Sequence, residues 1–172
     1  IDNWLIRYKA DLAETLYIRK GTHGVADMNS FQKRYLKGVT FPEGLKYIGS
    51  EAFERTDLKS VKLPRTVELM KYSAFRGTKI KEITLPASMK RVDKWVFMDC
   101  EQLDRITVEG KDTQIVWPAI TGHHNGTPMI IESPLNSHAQ AYCEKYGKKY
   151  NLVFEEKKPV VKNNIFTLRR KK

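Results

Sequence analysis

Between Val39 and Val108 the apolar residues recur in seven columns: Val39/Val61/Ile83/Ile106, Phe41/Leu63/Leu85/Val108, Leu45/Val67/Met89, Ile48/Met70/Val92, Ala52/Ala74/Val96, Phe53/Phe75/Phe97 and Leu58/Ile80/Leu103. Pro42, Pro64 and Pro86 keep the same step of 22 residues, and the third unit is one residue longer. A fixed period of this length marks a repeat architecture. The first two columns lie two residues apart and are largely β-branched, which predicts a short strand with one face inward in every unit. Proline then ends the strand. In the return limb the apolar residues are three to five apart, so a loop and a turn of helix are expected there, without a second long strand. A unit this short cannot cover its own apolar face, so the units must stack and share one core.

The skeleton, LxxVxLPxxVxxIxxxAFxxTxL in outline, resembles the bacterial surface leucine-rich repeat called BspA-like or Treponema-type, most specifically in its LP and AF pairs. The resemblance covers Val39 to Val108 closely and both flanks more loosely. It departs at Val96-Phe97, where the family has Ala-Phe, and at Lys71 and Asp93, which replace the glycine seen at Gly49. The fold implied is an α/β repeat solenoid, a short right-handed leucine-rich-repeat stack with an N-terminal β cap and a C-terminal strand-helix-strand cap. The resemblance also implies adhesion or recognition outside a bacterial cell, with the protein secreted or held at the cell surface.

Both flanks depart from the period. Trp4, Ile6 and Tyr8 alternate with polar or opposite-face residues, as do Leu16 and Ile18, which predicts a β-hairpin or a pair of strands. Ile18, Val25, Phe31 and Tyr35 lie on the repeat columns once one residue is inserted before Phe31, giving a degenerate first repeat that caps the stack. Beyond Val108, Ile115, Val116 and Trp117 are candidates for the Leu and Ile columns of a closing repeat, until the Gly/Asn/Pro-rich loop ITGHHNGTP interrupts. MIIESP then reads as a strand. Ser137 is placed to cap a helix running to about Tyr146, with Ala139, Tyr142, Cys143 and Tyr146 on one face and Gly147 as its stop. Leu152 to Phe154 is the expected last strand. By resemblance, MIIESPLNSHAQAY is the family's C-terminal closure. This divides the chain into one domain, residues 1–156, with caps at 1–38 and 109–156 around the core repeats 39–108, and a tail at 157–172. Within the tail, VVKNNIFTL has the pattern of two short strands about an Asn-Asn turn.

Composition narrows the function classes. A hydrophobic content of 41% argues against disorder, and the apolar runs are too short to span a bilayer. The start, IDNWLIRYKA, shows no signal peptide, and a chain beginning without Met is consistent with processing or truncation. The formal charge of +11 suggests nucleic acid until it is located: residues 157–172 hold seven Lys or Arg and no acid, leaving +4 for the rest. Two cysteines are too few for a disulfide scaffold. Cys100 shares the column of Thr56 and Thr78 and reads as a small buried residue, with a bridge to Cys143 as the alternative.

Chemistry is sparse. His123 and His124 are adjacent on a predicted loop and lack the spacing of metal ligands. GxGxxG, P-loop, GxSxG and HExxH patterns are absent, and no carboxylate pair is singled out for acid/base work. The sequon at Asn125 is followed, after Thr127, by a proline and carries little weight. No enzyme, cofactor or metal is therefore expected. What remains is the outward row of the strands: Thr40, Lys62, Thr84 and Thr107, with Ser60, Glu82 and Arg105 beside them, on the face that solenoids commonly use to bind. The other large exposed candidates, Tyr47, Tyr72 and Trp95, fall in the return limb.

The function expected from these features is a non-enzymatic interaction module, monomeric, that binds a protein or a host or cell-surface component through the strand row. Two alternatives stand beside it. In one, Arg169, Arg170, Lys171 and Lys172 form an arm for a polyanion such as glycan sulfate, nucleic acid or anionic lipid. In the other, the stack is a rigid spacer in a larger protein.

Overall fold

The computed structural model describes residues 4–5, 14–27, 35–121 and 126–158. In chain order they form strands β1 (Trp4–Leu5), β2 (Thr15–Tyr17), β3 (Gly24–Val25), β4 (Gly38–Thr40), β5 (Tyr47–Ile48), β6 (Leu69–Met70), β7 (Glu82–Leu85), β8 (Arg91–Val92), β9 (Arg105–Val108), β10 (Gln114–Ile115) and β11 (Met129–Ser133), then helix α1 (His138–Tyr150) and β12 (Leu152–Glu156). Most turns of chain give one strand to one wall and a two-residue strand to a second. The second wall is a continuous parallel sheet in the order β1-β3-β5-β6-β8-β10, in which Val25, Ile48, Met70, Val92 and Ile115 stand in register. That is the Ile48 column of the sequence, extended one tier in each direction. The first wall holds β2-β4 and, separately, β7-β9-β11-β12.

Buried columns fill the space between the walls. Phe53, Phe75 and Phe97 are fully buried and superposed, with centroid separations of 5.3 and 6.2 Å and ring planes 9° apart in both pairs. Phe41 meets Phe53 edge-on at 5.6 Å. Thr56 and Thr78 fill the column that Cys100 continues; the Cys100 thiol donates to Phe75 O at 3.2 Å and lies 3.4 Å from Thr78 Oγ1. Cys100 and Cys143 are both free and buried, so the bridge does not form.

The AF corner is not a turn of helix. Its amides alternate: Glu51, Phe53 and Arg55 donate to Tyr72, Ala74 and Arg76 carbonyls of the next tier, while Ala52, Glu54 and Thr56 donate three residues back within their own. Ser73, Phe75 and Gly77 repeat this against Lys94, Val96 and Met98. A helical turn would direct every amide inside its tier. Aiming alternate amides outward sets φ positive at Glu51, Ser73 and Trp95, and again at Arg55, Gly77 and Asp99. Five of those six are not glycine, which is why the sequence pattern does not announce the conformation. Inter-tier hydrogen bonds offset the strain of that backbone region.

The flanks are additional tiers. Of the hairpin or pair of strands expected at the N-terminus, the described residues form the pair: β1 pairs parallel with β3, and β2 pairs parallel with β4, so the two strands lie in different sheets, while Ile6 and Tyr8 lie outside the described residues. Leu36 fills the column assigned to Tyr35, which is 73% exposed; Phe31 lies outside the described residues. In the closing repeat Ile115 takes its predicted column, whereas Trp117 lies 40% exposed and Val116 is half-buried. Ala119 and Ile120 are the buried pair there; Ile120 bridges Phe97, replacing the Ala-Phe of earlier tiers.

The C-terminal cap is a β11-α1-β12 unit, with β12 parallel to β11. Ser137 caps α1 as expected, accepting from Gln140 N at 3.1 Å. The helix runs on past Gly147 to Tyr150 and ends at Asn151, whose left-handed backbone (φ 51, ψ 48) makes the stop. Gly147 is instead the place where β12 comes near, since a Cβ there would lie 2.9 Å from Leu152 O. Tyr142 joins α1 to the last tier: its buried hydroxyl accepts from Ile120 N–H at 3.3 Å and donates to Ile120 O at 3.1 Å. Replacing Tyr142 by Phe strands both groups and is expected to cost about 1–3 kcal/mol in urea denaturation.

Burial pushes the Tyr142 hydroxyl up to about 12, and burial likewise pushes the adjacent Cys143 thiol to about 12. Both folded values exceed the unfolded ones of 10.0 and 9.0, so the folded state holds these protons more tightly. Their contribution is complete below pH 9 and is lost as pH rises toward 12. A Tyr142→Phe, Cys143→Ala double variant is expected to show a flatter decline of stability over that range.

Candidate functional site

Alternation along each strand of the first wall sends one set of residues inward and the next outward. Register pairs place the outward residues side by side. One row runs Tyr17, Thr40, and then Thr84, Thr107, Glu132 and Glu155, with Lys62 at the tier between. A second row runs Thr15, Gly38, then Glu82, Arg105, Ile130 and Val153, with Ser60 between. The row expected from the repeat alone is therefore longer at both ends. Tyr17, 73% exposed, starts it, and two carboxylates close it.

The wall is not uniform. Ser60 to Leu63 forms no strand, in contrast to the expectation for every unit, and the tier meets its successor through Lys81 N–H to Lys59 O at 3.4 Å. A groove of ≈ 910 Å³ lies over this break and the two tiers after it. Ser60, Lys62, Glu82, Thr84, Arg105 and Thr107 all line it. Thr40 faces outward in the same row but lies off the groove. Glu43 and Arg65, which follow Pro42 and Pro64, and Glu109, which stands where those tiers have proline, are lining residues that the column reasoning missed. Their signal was weak, because they stand just beyond the strand where alternation no longer predicts direction.

The groove's charges divide into two sets. Arg105 is engaged, bonded to Glu155 at 2.8 Å and Glu132 at 3.4 Å, and the Glu155 hydrogen bond raises its already high pKa. Thr107 also donates to Glu132, at 3.1 Å. Glu109 pairs with Lys157 at 3.3 Å. Lys62, Arg65, Glu43 and Glu82 make no ion pair among the described residues, so two cations and two anions remain open to a partner. Hydroxyls of Ser60, Thr84 and Thr107 stand between them, over a floor of Val61, Leu63 and Ile83. Such a surface provides hydrogen bonds and charges of both signs. No group of His, Cys, Asp and Glu among the described residues could hold a metal ion. His123, His124, Asn125 and the tail residues Arg169, Arg170, Lys171 and Lys172 lie outside the described residues.

With the buried columns stacked tier on tier and the Ile48 column in parallel register, the sequence match is decisive: the family described as the BspA type leucine rich repeat region matches residues 26–145 in six copies. The chain belongs to the BspA-type leucine-rich repeat family. The match reaches beyond the three regular repeats on both sides, starting within the degenerate first repeat and running past Ile120 into the C-terminal cap. A crystal structure of a leucine-rich repeat protein from Bacteroides ovatus is similar at 15% identity and a TM-score of 0.46, over 72% of this chain and 50% of that one. The chain thus spans half the length of that protein. No curated protein matches it. Leucine-rich repeats of this family are generally binding modules, and no helix among the described residues is long and apolar enough to cross a membrane.

Of the return-limb aromatics, Tyr72 is 37% exposed and packs on the half-buried Trp95 at 4.9 Å; Tyr47 is half-buried. Across the second wall Glu68 bridges Lys46 at 3.6 Å and Lys90 at 2.6 Å. The Lys90 hydrogen bond lowers the Glu68 pKa, and Glu68 raises that of Lys90. This exposed ladder joins three tiers and contributes little to stability.

Proposed function

We propose that the chain is a non-enzymatic interaction module that binds a protein partner through the groove on its first wall, at the surface of a bacterial cell or outside it. The observation that carries this reading is the convergence of six outward residues, chosen by repeat position, on one groove with four uncommitted charges. Exposed opposite charges beside hydroxyls over an apolar floor suit a polypeptide surface, where complementary charge sets register and encounter rate. Membership of a family of bacterial surface repeats supports the extracellular setting.

Lys62→Glu combined with Glu82→Lys tests it. Both side chains are exposed, so stability should stay within about 0.5 kcal/mol of the parent. Capture of a surface protein from host or bacterial extracts is expected to be lost in the double variant. Capture that persists unchanged would refute the groove as the binding site.

A further inference from the structure

A second concavity, of ≈ 310 Å³, lies between the edge strand β10 and helix α1 and shares no residue with the groove. Ile115, Tyr142 and Tyr146 form its apolar walls, and Gln114, His138 and Lys145 are its polar lining. Its size is at the lower end of small-ligand pockets, which combine apolar walls with a few polar groups in this way. Trp117 continues the surface, stacked on Tyr146 at 5.7 Å with planes 25° apart, and is itself 40% exposed. Lys145 Nζ stands 5.2 Å from the Tyr146 ring centre and Lys149 Nζ 5.3 Å from that of Trp117.

Charge separates the two concavities. Three carboxylates line the groove, those of Glu43, Glu82 and Glu109, whereas none lines the hollow. On α1, His138, Tyr142, Lys145, Tyr146 and Lys149 recur at spacings of three and four, placing aromatic and cationic groups on one stripe. Glu144 belongs to a different stripe and accepts from Gln140 at 2.9 Å. A ligand here meets aromatic side chains, cations and a neutral amide, and no carboxylate among the lining residues.

We propose that this hollow binds an acidic sugar residue, a pyranose ring bearing a carboxylate or sulfate. The aromatic groups suit the C–H face of a sugar, because the negative face of an aromatic ring attracts polarised hydrogens. Lys145 meets the anionic substituent with a charge-assisted hydrogen bond, and Gln114 and His138 address the hydroxyls. Trp117 extends the platform to the next unit of a chain. This inference is independent of the protein-binding groove.

The test uses the full chain, titrated with glucuronic acid, a glucuronate-containing hexasaccharide, a neutral glucose hexasaccharide and vesicles of phosphatidylcholine with phosphatidylserine, read by tryptophan fluorescence and calorimetry. The acidic hexasaccharide is expected to bind and the neutral one not. Binding of free glucuronic acid as well assigns recognition to the hollow alone; binding of the hexasaccharide alone adds the Trp117 platform. Lys145→Gln and Gln114→Ala, both exposed positions, are each expected to weaken binding about tenfold, while Lys62→Glu leaves it unchanged. Equal binding of the neutral hexasaccharide, indifference to Lys145→Gln, or Lys145-dependent binding to vesicles without oligosaccharide binding would each overturn the proposal.

Discussion

Truncating Phe75 to Ala is expected to destabilise the protein by about 3–5 kcal/mol, a large part of a domain's stability. The ring is fully buried between Phe53 and Phe97, so its removal takes a stacking partner from two neighbours at once. Its backbone cannot move to close the cavity without loss, because Phe75 N–H is bonded to Val96 O and Phe53 N–H to Ala74 O. Urea denaturation should show a lower midpoint with little change of slope. Phe75→Leu, which keeps most of the volume, should cost roughly 1.5 kcal/mol or less. If Phe75→Ala cost no more than Phe75→Leu, the shared hydrophobic spine would not be what stabilises the stack. Hydrogen exchange adds a spatial reading: tiers on both sides of Phe75 should lose protection together, because each is stable only against its neighbours.

Gly49→Ala is expected to destabilise by about 1–3 kcal/mol although it adds a single methyl group. A Cβ at Gly49 would lie 2.5 Å from the carbonyl carbon and oxygen of Ala26 and 2.6 Å from Asp27 N. All three are backbone atoms, so no side chain can turn aside. The degenerate first tier must shift, breaking Gly49 N–H to Val25 O and Ser50 N–H to the Asp27 carboxylate. Lys71 occupies the same column one tier on, and its exchange for Ala should change stability by about 0.5 kcal/mol or less, since its ion pair with Asp27 at 3.4 Å is exposed. Equal effects at the two positions would remove the close approach to Ala26 as the reason for glycine. The departures at Lys71 and Asp93 then have a physical account: glycine is needed where the unit below is the irregular one.

Where the sequence was legible, a side chain had to be buried. The Phe53, Phe75 and Phe97 column, the Ile48 column and the Thr56, Thr78 and Cys100 column could all be read because burial restricts residue type at every tier. Ser137 was legible for a related reason, since few side chains can accept the helix's free amides. The corner geometry was not. Glu51, Ser73 and Trp95 adopt one backbone conformation with three unlike side chains, because hydrogen bonds between tiers select it. Gly147 misled for the same reason, its value lying in a contact with Leu152 and not in the local chain.

The candidate site divides along the same line. Alternation was enough to place Lys62, Glu82, Thr84, Arg105 and Thr107 on one outward face. That Glu132 and Glu155 continue that face, 25 residues or more along the chain from Thr107, follows only from the parallel pairing of β9, β11 and β12. The pairing also decides that Arg105 is engaged, while Lys62 and Glu82 make no ion pair among the described residues. Periodic burial is a local demand, repeated in each unit, and one chain carries it in full. The opening of the first wall at Ser60 to Leu63, the groove above it and the hollow beneath α1 depend on how unlike tiers meet, and no single repeat contains that information.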